Sequence, residues 1–219
     1  MDESLKMEDS NCLSCIFDKL KTKVKQEAVR LDHIIPYISK DRKYRDIDTG
    51  EGIYMWTNGF GAGICFWFIL EQRPGMGIIW ICFKLSIYGR KKFLDASKRS
   101  AHYCIANLSL NDWLPVVDFR SPEHFAKFDS TAGMAIAAGL LELAEQNEYE
   151  KELYNKTAVK ILQACESKFC NWNFEEDGIV TGGTVLYHSK ENANVPIIYG
   201  DYFLTEAVIR LRGKHILLW

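Results

Sequence analysis

The sequence predicts an all-α protein, an incomplete double-ring toroid of about seven helices, and three observations predict it. Several stretches place apolar residues at helical spacing and keep a charged face, whereas others are apolar on every side. The two kinds alternate along the chain, as the outer and inner helices of concentric rings would. The alternation fails once, at Glu71–Gly75, where two all-apolar stretches meet with no wet-faced helix between them.

The first helix covers residues 12–31. Leu13, Ile16, Leu20, Val24, Ala28 and Leu31 form its apolar stripe, leaving Lys19, Lys21, Lys23, Lys25 and Arg30 mostly on the wet face. Cys12 and Cys15 make a lone C-x-x-C. A zinc site needs two further ligands at suitable spacing and none follows, so these read as packing cysteines. Residues 34–55, broken by Pro36, Asp41, Asp46, Asp48, Gly50 and Gly52, form a loop. Thr57 or Asn58 then caps an inner helix that runs to Leu70. Residues 76–88 form a third apolar segment, read as helix although Ile78, Ile79, Ile81 and Ile87 leave a strand open.

Residues 91–108 regain a wet face, with Phe93, Leu94, Ser97, Ala101, Cys104, Ile105 and Leu108 on the dry side. A loop with Asp112, Pro115, Asp118 and Pro122 leads to the central helix. Asp129 or Ser130 caps that helix, and no polar side chain occurs from Ala132 to Leu141, which predicts burial on all faces. Its two glycines, Gly133 and Gly139, cost about 1 kcal/mol each against alanine, so close helix approach must offset them. Residues 150–169 are amphipathic through Leu153, Thr157, Ile161, Leu162, Cys165 and Phe169. Asp177–Thr184 is turn-rich, with a short strand pair reaching Leu186, and a last inner helix starts at Asp201 as its cap and ends near Arg212.

At 219 residues the chain suits a single domain, 1–219, with a sizeable core. Its 27 basic and 29 acidic residues give a net charge of −2, so nothing electrostatic favours nucleic acid or an anionic membrane as a partner. The acidic start lacks the apolar core of a signal peptide. Ile64–Leu70 and Ile78–Phe83 fall well short of the ~20 residues that span a bilayer. Seven cysteines without regular spacing suit a reducing compartment, so a cytoplasmic location is expected.

Several segments resemble glycoside hydrolase family 88, the unsaturated glucuronyl hydrolases. Trp56-Thr57-Asn58-Gly59-Phe60 is similar to that family's W-T-N/D-G-F-W, with Gly61 in place of the last tryptophan. Asp129-Ser130-Thr131-Ala132 through Gly139-Leu140-Leu141-Glu142-Leu143-Ala144 resembles its D-S-S-A…A-x-G-L-L-E-L-A. Ile198-Tyr199-Gly200-Asp201-Tyr202-Phe203 resembles its I-Y-G-D-Y-F/Y. The similarity extends over most of residues 34–212 and implies an incomplete (α/α)6 barrel-like toroid.

It also implies an activity. Such enzymes release a 4,5-unsaturated uronic acid from disaccharides that lyases cut from glycosaminoglycans. An aspartic acid protonates the C4 side of the double bond and then activates water at C5, and the resulting hemiketal collapses and breaks the glycosidic link. This is hydration of a vinyl ether, requiring no cofactor and no metal. By the same resemblance Trp56 and Phe60 line the sugar site, although both also fit as plain core aromatics.

The family's H-D-x-G-F and I-x-D-x-M-x-N segments, which carry its acid/base and partner aspartate, have no counterpart here, so no catalytic residue is assigned. Its R-G-Q-x-W stretch corresponds to Pro74-Gly75-Met76-Gly77-Ile78, which places an internal deletion near 71–75. Asp129 and Asp201 read as helix caps rather than acids. Asp118 lies in a proline-flanked loop as a lesser candidate to replace the lost carboxylate, and Lys190 near His188 as one to meet a sugar carboxylate. His102, His124 and His188 have no evident partner, and Trp67 and Trp80 read as core. The alternative to an enzyme is an inactive helical remnant or binding module that self-associates through exposed inner helices.

Overall fold

The computed structural model describes residues 3–31, 38–44, 90–119, 127–185 and 193–213. Trp56, Phe60, Trp67, Trp80, His124, His188 and Lys190 lie outside these residues, as do the apolar stretches at 58–70 and 76–88 and the join at 71–75. The described residues are mostly helical: α1 (Glu3–Leu31), α2 (Arg90–Ser109), α3 (Ser130–Gln146), α4 (Lys151–Phe169) and α5 (Ile198–Leu211). Two antiparallel ribbons accompany them, β1 (Ser39–Lys40) with β2 (Lys43–Tyr44), and β3 (Gly183–Thr184) with β4 (Ala193–Val195).

Helix α3 packs chiefly on α4 and α5, and particular contacts give their directions. Gly133, early in α3, sits against Cys165, late in α4, so the α3–α4 pair is antiparallel. Thr131 lies beside Gly200 at the start of α5, while Glu142 and Glu145 reach Arg210 at its end. Helices α3 and α5 therefore run parallel, with α4 as the return. Gly133 has no room for a side chain, since a Cβ there would lie 2.6 Å from Pro115 Cγ and 3.2 Å from Cys165 Sγ.

Burial in α5 is almost unbroken from Ile198 to Arg210, and the buried charges near its end are paired, Arg210 with Glu206, Glu142 and Glu145. Helix α3 departs from expectation. Nine of its residues are buried, but Ala132, Ala135 and Ile136 are half-buried and Gly139 is exposed. Among the described residues most of its cover comes from α4 and α5, with smaller contributions from α2 and β3. In α4 the dry stripe begins at Tyr154, fully buried, and Leu153 is 45% exposed. The Tyr154 ring enters the core because its hydroxyl finds Glu150 Oε2 at 3.2 Å.

Helix α1 begins well before residue 12 and buries Ile16, Phe17, Leu20, Val24 and Leu31. Lys23, assigned by periodicity to the wet face, is fully buried. Its Nζ donates to the carbonyls of Asn171 and Asn173, both at 2.8 Å, which replace the water it gives up. Arg212 lies over the Phe17 ring at 3.6 Å, and the Lys23 end of α1 faces Asp201, so α1 runs antiparallel to α5. Cys15 is exposed rather than packed, and no group of residues among those described is suited to hold a metal ion.

Candidate functional site

The two specific motifs of the sequence meet where α3 and α5 begin. Asp129 is the N-cap of α3, and its Oδ1 accepts from the Ala132 and Thr184 N–H groups, each at 3.4 Å. The Ser130 N–H donates to the Gly182 carbonyl and its hydroxyl to the Thr181 carbonyl at 2.5 Å. Thr184 donates its hydroxyl to the Phe128 carbonyl at 2.9 Å. The β3–β4 ribbon is thereby laced across the start of α3. Gly183 is required there, because a Cβ would lie 2.5 Å from Thr131 Oγ1 and 2.8 Å from Ile197 Cδ1. Burial raises the Asp129 carboxyl above its ordinary range, against the hydrogen bonds that favour its charged form.

Asp201 does not cap α5. That helix starts three residues earlier, at Ile198, and Ile197 occupies the N-cap without a side-chain hydrogen bond. Asp201 points inward and is 1% exposed. Its carboxylate accepts from Val180 N–H at 2.7 Å, from Ile179 N–H at 3.0 Å and from the Tyr44 hydroxyl at 3.0 Å. This side chain thus anchors the middle of the turn-rich segment 177–181, which Phe169 and Asn171 hold from its other side. Burial pushes the carboxyl up to about 6, and the two backbone donors only partly offset it.

A second buried carboxylate lies nearby. Asp177 accepts from the Tyr44 N–H and pairs with Arg30 of α1. Glu27 is also inside, 8% exposed, with burial first and Asp201 second pushing its carboxyl up to about 8. The set Lys23, Glu27, Arg30, Tyr44, Asp177 and Asp201 joins α1, the β1–β2 hairpin, segment 177–181 and α5 in one polar core. Both aspartates are almost wholly buried, Asp177 against Arg30 and Tyr44 and Asp201 against Val180, Ile179 and Tyr44.

His102 does have a partner. Its Nε2 lies 2.6 Å from Glu150 Oε1 and 3.4 Å from the Tyr154 hydroxyl, and Lys98 reaches the other Glu150 oxygen at 2.5 Å. Hydrogen bonds, first from Lys98, pull the Glu150 carboxyl down to about 2. This network ties α2 to the start of α4 at the surface. Asp118 is exposed on its loop. Asp129 and Asp201 thus bind the two ends of one segment, Asp129 at Thr184 and Asp201 at Ile179 and Val180, while His102 and Asp118 lie elsewhere. Sequence reasoning missed the inner roles of Lys23 and Glu27. The signal for them was spacing, since Leu20, Lys23, Glu27 and Leu31 fall on one helical face.

No family model matches the chain. A curated relative, the unsaturated glucuronyl hydrolase of Bacillus sp. (strain GL1), is 26% identical over 161 residues, which is 71% of this chain and 39% of that protein. The chain therefore spans well under half the length of the curated relative it matches. The crystal structure of the unsaturated glucuronyl hydrolase from Bacillus sp. GL1, responsible for the degradation of glycosaminoglycan, superposes with a TM-score of 0.52. Identity there is 28%, covering 56% of this chain and 34% of that one. An aspartate-to-asparagine variant with dGlcA-Glc-Rha-Glc matches equally, at a TM-score of 0.52 and 28% identity over the same shares of both chains. These relatives are unsaturated glucuronyl hydrolases, as the motifs implied. Among the described residues no helix is long and apolar enough to cross a membrane.

Proposed function

We propose that this chain is a glycoside hydrolase of the unsaturated glucuronyl hydrolase type, built as an incomplete (α/α)6 barrel-like toroid. Its substrate in this reading is a lyase-generated disaccharide ending in a 4,5-unsaturated uronic acid. The supporting observation is the pairing of Asp129–Ala144 and Ile198–Phe203 as parallel buried helices whose starts meet through Thr131 and Gly200. The likeness to a relative with a bound uronyl oligosaccharide supports the substrate class. Trp56 and Phe60 stack on the sugar, and an internal deletion near 71–75 accounts for part of the shorter length.

A general acid has to lie within hydrogen-bond reach of the carbon or oxygen it protonates. Asp177 and Asp201 are sealed, and Asp129 is spent on the helix cap. That observation favours a second reading, a helical module that binds the sugar or assembles through its inner helices without turnover. Incubation with an unsaturated chondroitin disaccharide separates the two. Loss of the double-bond absorbance, with KM raised several-fold in Trp56→Ala, is the outcome expected of the enzyme. Quenching of tryptophan fluorescence at constant absorbance identifies the binding module, and neither signal rejects both.

A further inference from the structure

Glu27 is placed unlike the other charges of α1. Its carboxylate is buried, and Oε1 has no hydrogen-bond partner. The two nearest cations stand at ion-pair distance only, Lys23 Nζ at 4.0 Å and Arg30 at 3.9 Å. Both are committed elsewhere, Lys23 to the Asn171 and Asn173 carbonyls and Arg30 to Asp177. The other elements present mostly negative charge to it, Asp177 from the 171–180 segment and Asp201 from α5. The hairpin contributes the Tyr44 hydroxyl, which is turned to Asp201. An ionised, desolvated carboxylate with an orphan oxygen and two anions beside it is poorly compensated, whereas a protonated one is not.

We propose that Glu27 is a proton-operated clasp, seating α1 on the body of the molecule while it is protonated and loosening the helix when it ionises. The clasp stands apart from the sugar chemistry proposed above. Its direction follows from linkage. The docked carboxyl holds its proton up to about 8 against an ordinary value of 4.5. Docking free energy from this group is therefore complete below about pH 4.5, declines as pH rises toward 8, and is constant beyond. Asp201 adds a separate decline that ends near 6. Lys23, whose burial lowers its own pKa, works in the opposite sense, its contribution rising with pH.

Hydrogen exchange of α1 amides, expressed as protection against the intrinsic rate at each pH, tests this on the whole chain. Between about pH 6 and pH 8 protection should fall, by up to roughly tenfold per pH unit for a single proton, and then level off. In Glu27→Gln, which keeps shape and removes the charge, protection should be flat over that window and no lower than in the unmodified chain at pH 6. Protection that is flat in the unmodified chain overturns the proposal, as does a Glu27→Gln helix that exchanges faster at every pH. Titration of the Glu27 carboxyl carbon by NMR needs no variant. A midpoint above 7 supports the clasp, and an ordinary glutamate midpoint overturns it.

Discussion

Asp201 shows why a residue's role is not legible from its neighbours in sequence. An aspartate next to a new helix reads as a cap, because short acceptors favour that position. The chain enters α5 earlier than Asp201, so the side chain faces inward and serves the Ile179 and Val180 N–H groups from a distance of over twenty residues. Removing it leaves those donors buried and unmatched. Asp201→Ala should cost about 3 kcal/mol, as two buried donors each lose a charged acceptor, and urea denaturation checks it. The sign with pH is also set. A folded carboxyl raised to about 6 from 3.8 favours the folded state most at low pH. The penalty of Asp201→Ala should therefore be larger near pH 4 than near pH 7. Lys23 gives the same lesson from the other side, since only the two carbonyls of the 171–173 turn explain a fully buried lysine.

At the scale of the element, periodicity placed three of the helices closely, began α1 and α5 too late, and read the faces less well. The ranges 91–108, 130–144 and 150–169 match α2, α3 and α4 to within two residues, because the 3.6-residue pattern is a property of the local sequence. Which flank of α3 stays open depends on its neighbours, and its two glycines now separate. Gly133→Ala drives a methyl into Pro115 and Cys165, so overpacking of about 1–3 kcal/mol outweighs the gain in helix propensity. At Gly139 nothing described lies within 4 Å, so Gly139→Ala should stabilise by about 1 kcal/mol. Opposite shifts in the urea midpoint are expected, and equal signs would refute the packing described for α3. The surface tie between α2 and α4 has its own signature. With its carboxyl held at about 2, Glu150 contributes stability above its ordinary 4.5, and that contribution is lost as pH falls toward 2. Glu150→Gln should remove that part of the acid-side decline in melting temperature.

For the whole molecule, the parallel course of α3 and α5 with α4 as return is the feature that supports the toroid reading and carries the proposed function. The polar core formed by α1, the hairpin, segment 177–181 and α5 makes the opposite demand on pH from Glu150. Glu27 holds its proton more tightly when folded up to about 8, whereas the Asp201 decline is largely over by about 6, so on the Glu27 contribution the chain should melt higher at about pH 6 than at about pH 8. A thermal melt at the two values decides this. The same assembly also bears on partners. The half-open side of α3, with Ile136 half-buried and Gly139 exposed, is the described surface through which the binding-module reading would self-associate. Size exclusion over a range of concentrations should then show a species larger than the monomer, and a monomer at every concentration removes that reading's assembly arm.

The sequence by itself determined the helical class, the bounds of α2, α3 and α4, and the motifs that point to unsaturated glucuronyl hydrolases, because spacing and residue type are local. Tertiary structure alone decided what the charged residues do. Burial of Lys23, Glu27, Asp177 and Asp201 in one polar core requires segments far apart in the chain to meet. No local pattern records which carbonyl or amide waits on the other side.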